Sequence, residues 1–257
     1  MNLRLISFSA TNPGSSGAAA AAFSGDSLVI ENNQGEMRPS IISMWGFNST
    51  SGFQQLTFPS GHDTTRGFRA GVIASETDPT LPVGMNIAVT AQEQLALTLS
   101  GSAAAVEQGS ALIFYPNLPG VQGRYIHAAE VDERAEKMTT INCTITGVAN
   151  SYSEELINAE SNLLLANRDY AVIGMRSAVN CLAMYIKGPD TGNVKVGVPG
   201  GDGVSFIDSR FFYKLSEELG LPLVPVINSG NRDNTFVGIA QKAATDVPLT
   251  ITLALLA

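Results

Sequence analysis

The chain has 257 residues, of which 44% are hydrophobic and only 15% are charged, and its formal net charge is −8. This length fits one large domain or two ordinary ones, and the apolar fraction is sufficient for a sizeable core. Lysine and arginine are scattered without a basic run, which argues against direct packaging of nucleic acid, because neutralising phosphates requires clustered cations.

The low charge content has two readings. One interpretation is that neighbouring chains cover much of the exterior, which then needs few charges. The other is that the surface is polar without being charged, because it is rich in serine, threonine and asparagine. No segment reaches the roughly 18 apolar residues of a membrane span. Residues 1–5 lack the apolar core of a signal peptide, and the Gly/Ala/Ser-rich segment 10–23 is typical of a flexible arm.

Short strand patterns dominate both halves of the chain, each bounded by glycine, proline, asparagine or serine. Many short strands at close spacing are typical of β-sandwiches and barrels, so the sequence predicts an all-β protein with a few short helices. The predicted strands are 27–31, 41–47, 52–58, 66–73, 85–89, 94–100 and 111–115, followed by 139–145, 170–175, 181–187, 193–198, 223–227, 235–239 and 249–256.

Three segments are predicted to be helical. Residues 128–137 are charged and lie mid-chain. Residues 151–162 begin with the Ser-x-x-Glu spacing of a capping box. Residues 208–219 carry a stripe of apolar residues four apart, with Asp208 or Ser209 available as the cap. Gly220 and then Pro222 end this last pattern.

The two halves resemble each other when the chain is shifted by 140 residues. Met44-Trp45 then falls on Met184-Tyr185, Pro59 on Pro199, and Leu81-Pro82 on Leu221-Pro222. Glycine and proline at matched places indicate matched turns. We therefore expect residues 40–60 to occupy the same place in their sheets as 180–200, with one turn at Gly52 and its copy at Gly192.

This repeat predicts two copies of one β-domain. The first covers residues 1–130 and includes the arm at 10–23, and the second covers 138–257 and includes the helix at 208–219. Residues 131–137 would connect the two copies. Because the arm is small-sided, deletion of residues 1–23 is expected to leave both domains folded while impairing assembly.

Residues capable of chemistry are few. Two-barrel metal enzymes of the cupin type need two or three histidines and a carboxylate on one metal, and this chain has only His62 and His127. Cys143 and Cys181 lie in strand-like segments and fit small buried hydrophobes. The sequence has no Gly-x-Ser-x-Gly elbow.

Two further fragments have simpler interpretations. The glycine-rich stretch 200–203 lacks the lysine of a phosphate loop. Residues 190–193 have the look of a calcium-binding fragment, but a hairpin turn explains them. An acidic cluster fits a solvated face better than an acid–base pair, and it comprises Glu130, Asp132, Glu133 and Glu136. We therefore expect no catalytic, cofactor-binding or metal-binding residue and no enzymatic activity.

Two stretches carry a resemblance to a known family. Gly188-Pro189-Asp190-Thr191-Gly192-Asn193-Val194-Lys195-Val196-Gly197 and Leu221-Pro222-Leu223-Val224-Pro225-Val226-Ile227-Asn228-Ser229 resemble segments of the double jelly-roll major capsid proteins of tailless icosahedral bacterial viruses of the membrane-containing type. The resemblance covers most of the chain at the level of architecture, as two tandem jelly-roll β-sandwiches.

The resemblance implies a structural protein of the virion, made in the host cytoplasm. It implies homotrimeric, pseudo-hexameric capsomers, each interface burying well over about 2,000 Å². The implied partners are neighbouring capsomers, penton and minor capsid proteins, and an internal membrane, without direct contact to nucleic acid. No functional residue is carried over from the family.

A different class of function fits the same predicted fold. A carbohydrate- or receptor-binding β-sandwich, such as a viral spike or decoration protein, would group exposed aromatic residues in loops. Here Trp45 and most phenylalanines lie in or beside predicted strands. Mass in solution separates the two classes, because a stable trimer favours the capsid protein and a monomer favours the binding protein.

Overall fold

The protein is all-β, as the sequence predicts. A computed structural model describes residues 1–14, 16–61, 67–72, 74, 86–120, 122–157, 162–179, 181–200, 210–241 and 244–257. Within these residues, eighteen strands form four sheets, joined by two α-helices and short 3-10 turns. Neither helix in this part of the chain has the length and apolarity needed to cross a bilayer.

The chain divides into two compact units. One comprises Arg4–Pro119, and the other comprises Gly120–Ala257 together with Met1–Leu3. The division therefore falls near residue 120 rather than at the expected residue 130. Residues 131–137 are not a separate connector, because they lie in the second unit as the end of a helix and the start of a strand.

The first unit has two sheets. One has the strand order β3-β1-β9-β4-β7 and the other has the order β2-β8-β5-β6. The strands are β1 (Asn2–Asn12), β2 (Ala18–Ala19), β3 (Ala21–Ala22), β4 (Ser40–Phe47), β5 (Gly52–Thr57), β6 (Phe68–Val72), β7 (Ile87–Ala88), β8 (Ala96–Gly101) and β9 (Ala105–Tyr115).

The second unit also has two sheets. Their strand orders are β10-β16-β13-β18-β11 and β12-β17-β14-β15. Its elements are β10 (Tyr125–Ile126), α1 (Ala128–Arg134), β11 (Ala135–Thr146), β12 (Ser151–Leu156), β13 (Asp169–Ser177), β14 (Ala183–Lys187), β15 (Val196–Pro199), α2 (Phe211–Leu219), β16 (Val224–Asn228), β17 (Phe236–Gln241) and β18 (Asp246–Leu256).

Both units use the same strand order. Leaving β3 and β10 aside, each unit has eight strands, and the first, eighth, third and sixth are neighbours in one sheet. The second, seventh, fourth and fifth are neighbours in the other. The chain therefore repeats one topology twice.

The 140-residue register predicted for this repeat is wrong over residues 40–60. It matches β4 with β14 and β5 with β15, whereas the strand order makes β13 the counterpart of β4 and β14 the counterpart of β5. Gly52 therefore begins β5, and Gly192 lies in the turn after the counterpart of β5. The offset holds near the end of each unit, where Ala96 begins β8 and Phe236 begins β17.

Loops of different length are the reason. The connection into β4 runs from residue 23 to residue 39, and the equivalent connection into β13 runs only from 157 to 168. The connection from β15 to β16 is in turn longer in the second unit, because it contains α2, and this restores the offset of about 140 residues between equivalent strands. An ungapped shift is unable to follow such changes, and the matched glycines and prolines at 44–61 are coincidental.

The predicted flexible arm at 10–23 is wrong. Asn12 ends β1, and Ala18–Ala19 and Ala21–Ala22 pair with β8 and β1 of the same unit. The small side chains suit this position, because a Cβ at Gly17 would lie 2.9 Å from Cγ2 of Thr98. Phe23 then closes the segment with only 3% of its surface exposed.

Helix predictions succeed for two segments and fail for the third. The predicted helix 208–219 is confirmed as α2 over Phe211–Leu219, with Arg210 at its start; the expected caps, Asp208 and Ser209, lie outside the described residues. Gly220 ends it in the left-handed conformation at φ 65°. The predicted helix at 128–137 forms only over Ala128–Arg134.

The predicted helix at 151–162 is instead the strand β12 over Ser151–Leu156, and residues 158–161 lie outside the described residues. Ser151 pairs with Gln241 and Leu156 with Phe236 along β17. The two residues of the Ser-x-x-Glu spacing have other contacts here: Oγ of Ser151 donates to the carbonyl oxygen of Tyr152 at 3.4 Å, and Glu154 pairs with Nζ of Lys187 at 2.9 Å. Tertiary pairing therefore overrides the local helix signal.

The two sheets of the first unit face each other across a glycine pair. Gly46 of β4 and Gly109 of β9 are register partners. A Cβ at either position would overlap the side-chain amide of Gln54, which reaches across from β5. The glycines therefore let the two sheets pack at this point, where no larger residue fits.

In the second unit, the two helices cover the outer face of one sheet. Val131 of α1 belongs to a buried cluster with Ile173 of β13, Val226 of β16 and Leu256 of β18, and Tyr213 of α2 packs against it. This apolar cluster explains why α1 lies on the sheet rather than bridging two domains.

Deletion of residues 1–23 should unfold the first unit, contrary to the expectation from sequence. The deletion removes Leu5, Ile6 and Phe8, each at most 2% exposed, and burial of each such side chain contributes about 1.5–3 kcal/mol. Hydrogen exchange should therefore show loss of amide protection in β4 and β9. Thr11→Ala, at an exposed position of the same strand, should leave protection unchanged, and native protection in the truncated chain would contradict the account.

Candidate functional site: buried carboxylates that join the turns

The turn between β14 and β15 points a carboxylate inward. Pro189–Thr191 form a 3-10 turn, and Gly192 follows in the left-handed conformation at φ 67°. Oγ1 of Thr191 accepts from the N–H of Gly188 at 2.9 Å and lies 3.0 Å from the carbonyl oxygen of Val194. The closed turn leaves Asp190 only 7% exposed.

Asp190 joins this turn to the turn between β16 and β17. Its Oδ2 accepts from the backbone N–H of Asn228 and from Nδ2 of Asn231, both at 2.9 Å. Its backbone carbonyl accepts from the N–H of Arg124 at 2.8 Å. One residue, through its side chain and its backbone carbonyl, therefore joins three separate stretches of the second unit.

Arg124 pairs with both carboxylates of the cluster. Its Nη1 and Nη2 donate to Oδ1 and Oδ2 of Asp169 at 3.0 and 2.5 Å, and Nη1 lies 3.4 Å from Oδ1 of Asp190. The pKa of Asp169 is lowered, mainly by the hydrogen bond from Arg124. Burial of the carboxylate opposes this effect, and the hydrogen bond from Asn228 adds to it. The hydrogen bond between Arg124 and Asp169 also raises the pKa of Arg124. The fork-to-fork pair fixes the guanidinium plane.

The first unit joins the equivalent two turns by another carboxylate. Glu93, in the turn between β7 and β8, is 8% exposed. It accepts from the N–H and Oγ of Ser60, which follows β5, and from the N–H of Thr90 at 2.9 Å. Burial alone would raise the pKa of Glu93, but the hydrogen bonds from Ser60 and Thr90 outweigh it and lower the pKa.

The two units thus connect the same two turns, but the carboxylate comes from a different turn in each unit. In the first, the carboxylate comes from the turn between the sixth and seventh strands; in the second, it comes from the turn between the fourth and fifth. In each unit it accepts hydrogen bonds from the opposing turn. We call the contacts of Glu93 and of Asp190 the two turn clasps.

A further buried carboxylate lies elsewhere in the first unit. Glu107 is fully buried, and it accepts from the N–H of Ser49 at 2.6 Å and from Oγ1 of Thr50 at 3.3 Å. Nδ2 of Asn48 donates to the carbonyl oxygen of Ser100 at 3.1 Å. These contacts tie the connection between β4 and β5 to the strands β8 and β9.

Among the described residues, those considered from sequence for metal binding or nucleophilic chemistry do not converge. His127 is exposed at the start of α1, and His62 lies outside the described residues. Cys143 and Cys181 are both buried, and neither forms a disulfide. In the part of the chain that the structure describes, no three His, Cys, Asp or Glu side chains are placed to hold a metal ion.

The glycine-rich and acidic fragments also have structural roles or lie outside the described residues. Residues 201–203 are outside the described ranges. Asp132 accepts from the hydroxyl of Tyr213 at 2.8 Å, and Glu136 pairs with Arg168 at 3.0 Å. Glu130 accepts from the N–H of His127, and Glu133 is exposed. The acidic residues therefore do not act as one cluster: Asp132, Glu136 and Glu130 each contact a different partner in or near α1.

Asp190 was the one clasp residue that the sequence brought to attention, as part of a calcium-like fragment. In the structure the guanidinium of Arg124 lies beside its carboxylate. Sequence reasoning missed Arg124, Asp169, Glu93 and Glu107, because each meets its partners only through the fold.

Comparisons with known proteins give only distant likenesses. No protein-family model and no curated protein matches the chain. The PBSX exported protein XepA superposes with a TM-score of 0.31 at 8% identity, over 98% of this chain and 86% of that one. The major capsid protein P2 from Bacteriophage PM2 gives 0.22 at 12% identity, over 90% and 96%. The STIV MCP gives 0.23 at 10% identity, over 99% and 87%.

Asp190→Ala should destabilise the second unit. The change leaves the N–H of Asn228 and the Nδ2 of Asn231 without their acceptor, and a hydrogen bond to a charged group is worth about 1.5–3 kcal/mol. We expect the free energy of unfolding in urea to fall by about 2–4 kcal/mol. Asp233→Ala removes the same charge at an exposed position of the turn Ser229–Asn234 and should change it by less than about 0.5 kcal/mol. Equal losses in the two variants would rule out the clasp.

Proposed function

We propose that this chain is a structural shell protein, the major capsid protein of an icosahedral virus, and that it works as a homotrimer. The observation that carries the proposal is the repetition of one eight-strand order in two successive units of a single chain. The function then lies in the shape of the units and in their contacts with other copies.

Each unit is proposed to be a jelly roll. Jelly rolls are double-sheet structures of eight strands wound as two Greek keys. In both units the first and last strands are neighbours in one sheet, and the second and seventh are neighbours in the other. That arrangement arises when a long β-hairpin of eight paired strands is wrapped into two facing sheets.

Duplication suits a shell protein because of symmetry. Three chains with two similar units each present six similar units around a three-fold axis. Such a trimer fills a place that has six neighbours. Each heterologous contact then recurs until the ring closes.

Exposed apolar side chains support contacts with other copies. Met37 is 59% exposed, Leu163 68% and Leu165 54%. All three lie on the connection between the second and third of the eight strands, Met37 in the first unit and the two leucines in the second. We infer that these side chains take part in contacts with other copies, and the low charge content of the chain does little to oppose such contacts.

The remaining features of the proposal follow from a shell role. The protein acts in the virion after synthesis in the host cytoplasm, beside penton and minor capsid proteins and, in lipid-containing particles, an internal membrane. It catalyses no reaction and requires no cofactor. With a net charge of −8 it does not contact the genome directly.

The carbohydrate-binding alternative gains no support from three of the large aromatic side chains. Trp45 is the chain's single tryptophan and is fully buried in β4. Tyr115 and Tyr185 are also buried, at 1% and 0% exposure. A sugar-stacking platform needs such rings at the surface.

Light scattering on the purified chain tests the proposal. We expect a particle of three times the 27.0 kDa chain mass that persists at micromolar concentration. Leu163→Asp combined with Leu165→Asp should weaken self-association at least about tenfold, because charges replace apolar contacts. The matched control is Val179→Asp, at a side chain that is 40% exposed on a different connection. A persistent monomer would contradict the proposal.

A further inference from the structure

A polar cleft in the second unit has no assigned role. Its volume is about 300 Å³, at the low end of the range for small-ligand sites. Its lining includes Arg124, Arg134, Asp169, Tyr125 and Val226. All of these belong to the unit of Gly120–Ala257.

The floor of the cleft is held firmly. Tyr125 is 9% exposed and pairs with Pro225 through the β10–β16 ladder. Its hydroxyl accepts from the N–H of Leu3 at 3.2 Å and donates to Oδ1 of Asn2 at 3.3 Å. A ligand would therefore meet a preformed surface rather than one that must be ordered first.

Hydrogen-bond acceptors in the cleft are largely used. Oδ1 of Asp169 accepts from Nη1 of Arg124 at 3.0 Å and from Nδ2 of Asn228 at 2.8 Å. Oδ2 accepts from Nη2 of Arg124. The carboxylate thus has three donors already, and it stabilises the neighbouring guanidinium rather than offering itself to a ligand.

Hydrogen-bond donors, in contrast, are in surplus. A guanidinium carries five N–H groups. Within the described residues, the guanidinium of Arg134 makes one hydrogen bond, from Nη2 to the backbone oxygen of Ala257 at 3.2 Å. Arg124 is held by Asp169 and Asp190 on one side, and its side chain remains 45% exposed. The cleft therefore presents two planar forks with N–H groups to spare.

Charge points the same way. Two guanidinium groups and one carboxylate line the cleft, and a second carboxylate, that of Asp190, lies 3.4 Å from Arg124. The two aspartates therefore balance the charge of the two arginines, and the cationic character of the cleft is concentrated at Arg134, which has no acidic side chain as an ion-pair partner among the described residues. Arginine forks match the paired oxygens of phosphate and carboxylate groups.

We propose that this cleft binds an oxyanion, with Arg134 as the main contact and Arg124, fixed by its two aspartates, as the second. The oxyanion is a phosphate or a carboxylate. Its source is either a free ion or an acidic side chain of a second copy of this acidic chain. The site is independent of the proposed shell function, because it requires only the fold of the second unit.

Thermal unfolding in phosphate tests the proposal. Inorganic phosphate up to about 50 mM is compared with sodium chloride at equal ionic strength, which removes general screening. We expect the unfolding midpoint of the natural chain to rise by about 2–5 °C in phosphate. Arg134→Gln should abolish the rise, and Arg134→Lys, which keeps the charge but loses the fork, should reduce it.

A matched control lies on the same strand as Asp169. Arg176→Gln removes an exposed arginine seven residues along β13, about 23 Å away, and should keep the full rise. Equal midpoints for Arg134→Gln and the natural chain in chloride would show that the variant is folded. If the natural chain shows no rise, or if Arg134→Gln shows the same rise, the proposal is overturned.

Sedimentation in the two salts identifies the source of the oxyanion. If phosphate binds and the mass is unchanged, the ligand is a free ion. If phosphate binds and also lowers the mass of the natural chain but not of Arg134→Gln, the ligand is a carboxylate of a second copy. Either result supports the site. The shell proposal is tested separately by the mass itself: a trimer whose mass does not change with phosphate, in the natural chain and in Arg134→Gln, supports the shell proposal without depending on the site.

Discussion

Each unit depends on the pairing of its first strand with its last. β1 lies beside β9, and β11 lies beside β18 over a ladder that runs from Ala135 and Leu256 to Thr146 and Asp246. The partners are about a hundred residues apart in sequence, so pairing them costs loop-closure entropy that the packing of the whole unit must offset. Apart from β10, which precedes β11, every other described strand of a unit lies between these two in the chain.

The turn clasps follow from that constraint. Once the ends are paired, the inner strands must reverse direction repeatedly at both ends of the sheets. In each unit, Glu93 or Asp190 ties two of these reversals together by accepting hydrogen bonds from backbone N–H groups and side-chain donors of the two turns. Some acidic residues of this chain therefore stabilise the connections between turns, in addition to contributing to its net charge.

Sequence patterns predicted what depends on local chemistry. The all-β class and the helix α2 follow from short bounded apolar runs and from one apolar stripe closed by Gly220. β1 was missed because both of its faces are buried, which blurs the alternation of apolar and polar residues. β12 was mistaken for a helix because Ser-x-x-Glu also fits an exposed strand edge.

The site was less accessible to sequence reasoning for a physical reason. Arg124 and Asp169 are far apart in the chain and share no spacing rule; only the β10–β16–β13 order brings them together. The same holds for Ser60 and Glu93. Repeat detection found the duplication but not its register, since turns differ in length while the strand order stays constant.

Electron cryo-microscopy of the purified oligomer tests the central claim most directly. If two copies of one jelly roll in each of three chains build the assembly, projections down its axis will show six similar β-sandwich densities around a three-fold centre. A particle with only three such densities, or a single chain whose two units differ in strand order, would contradict the account.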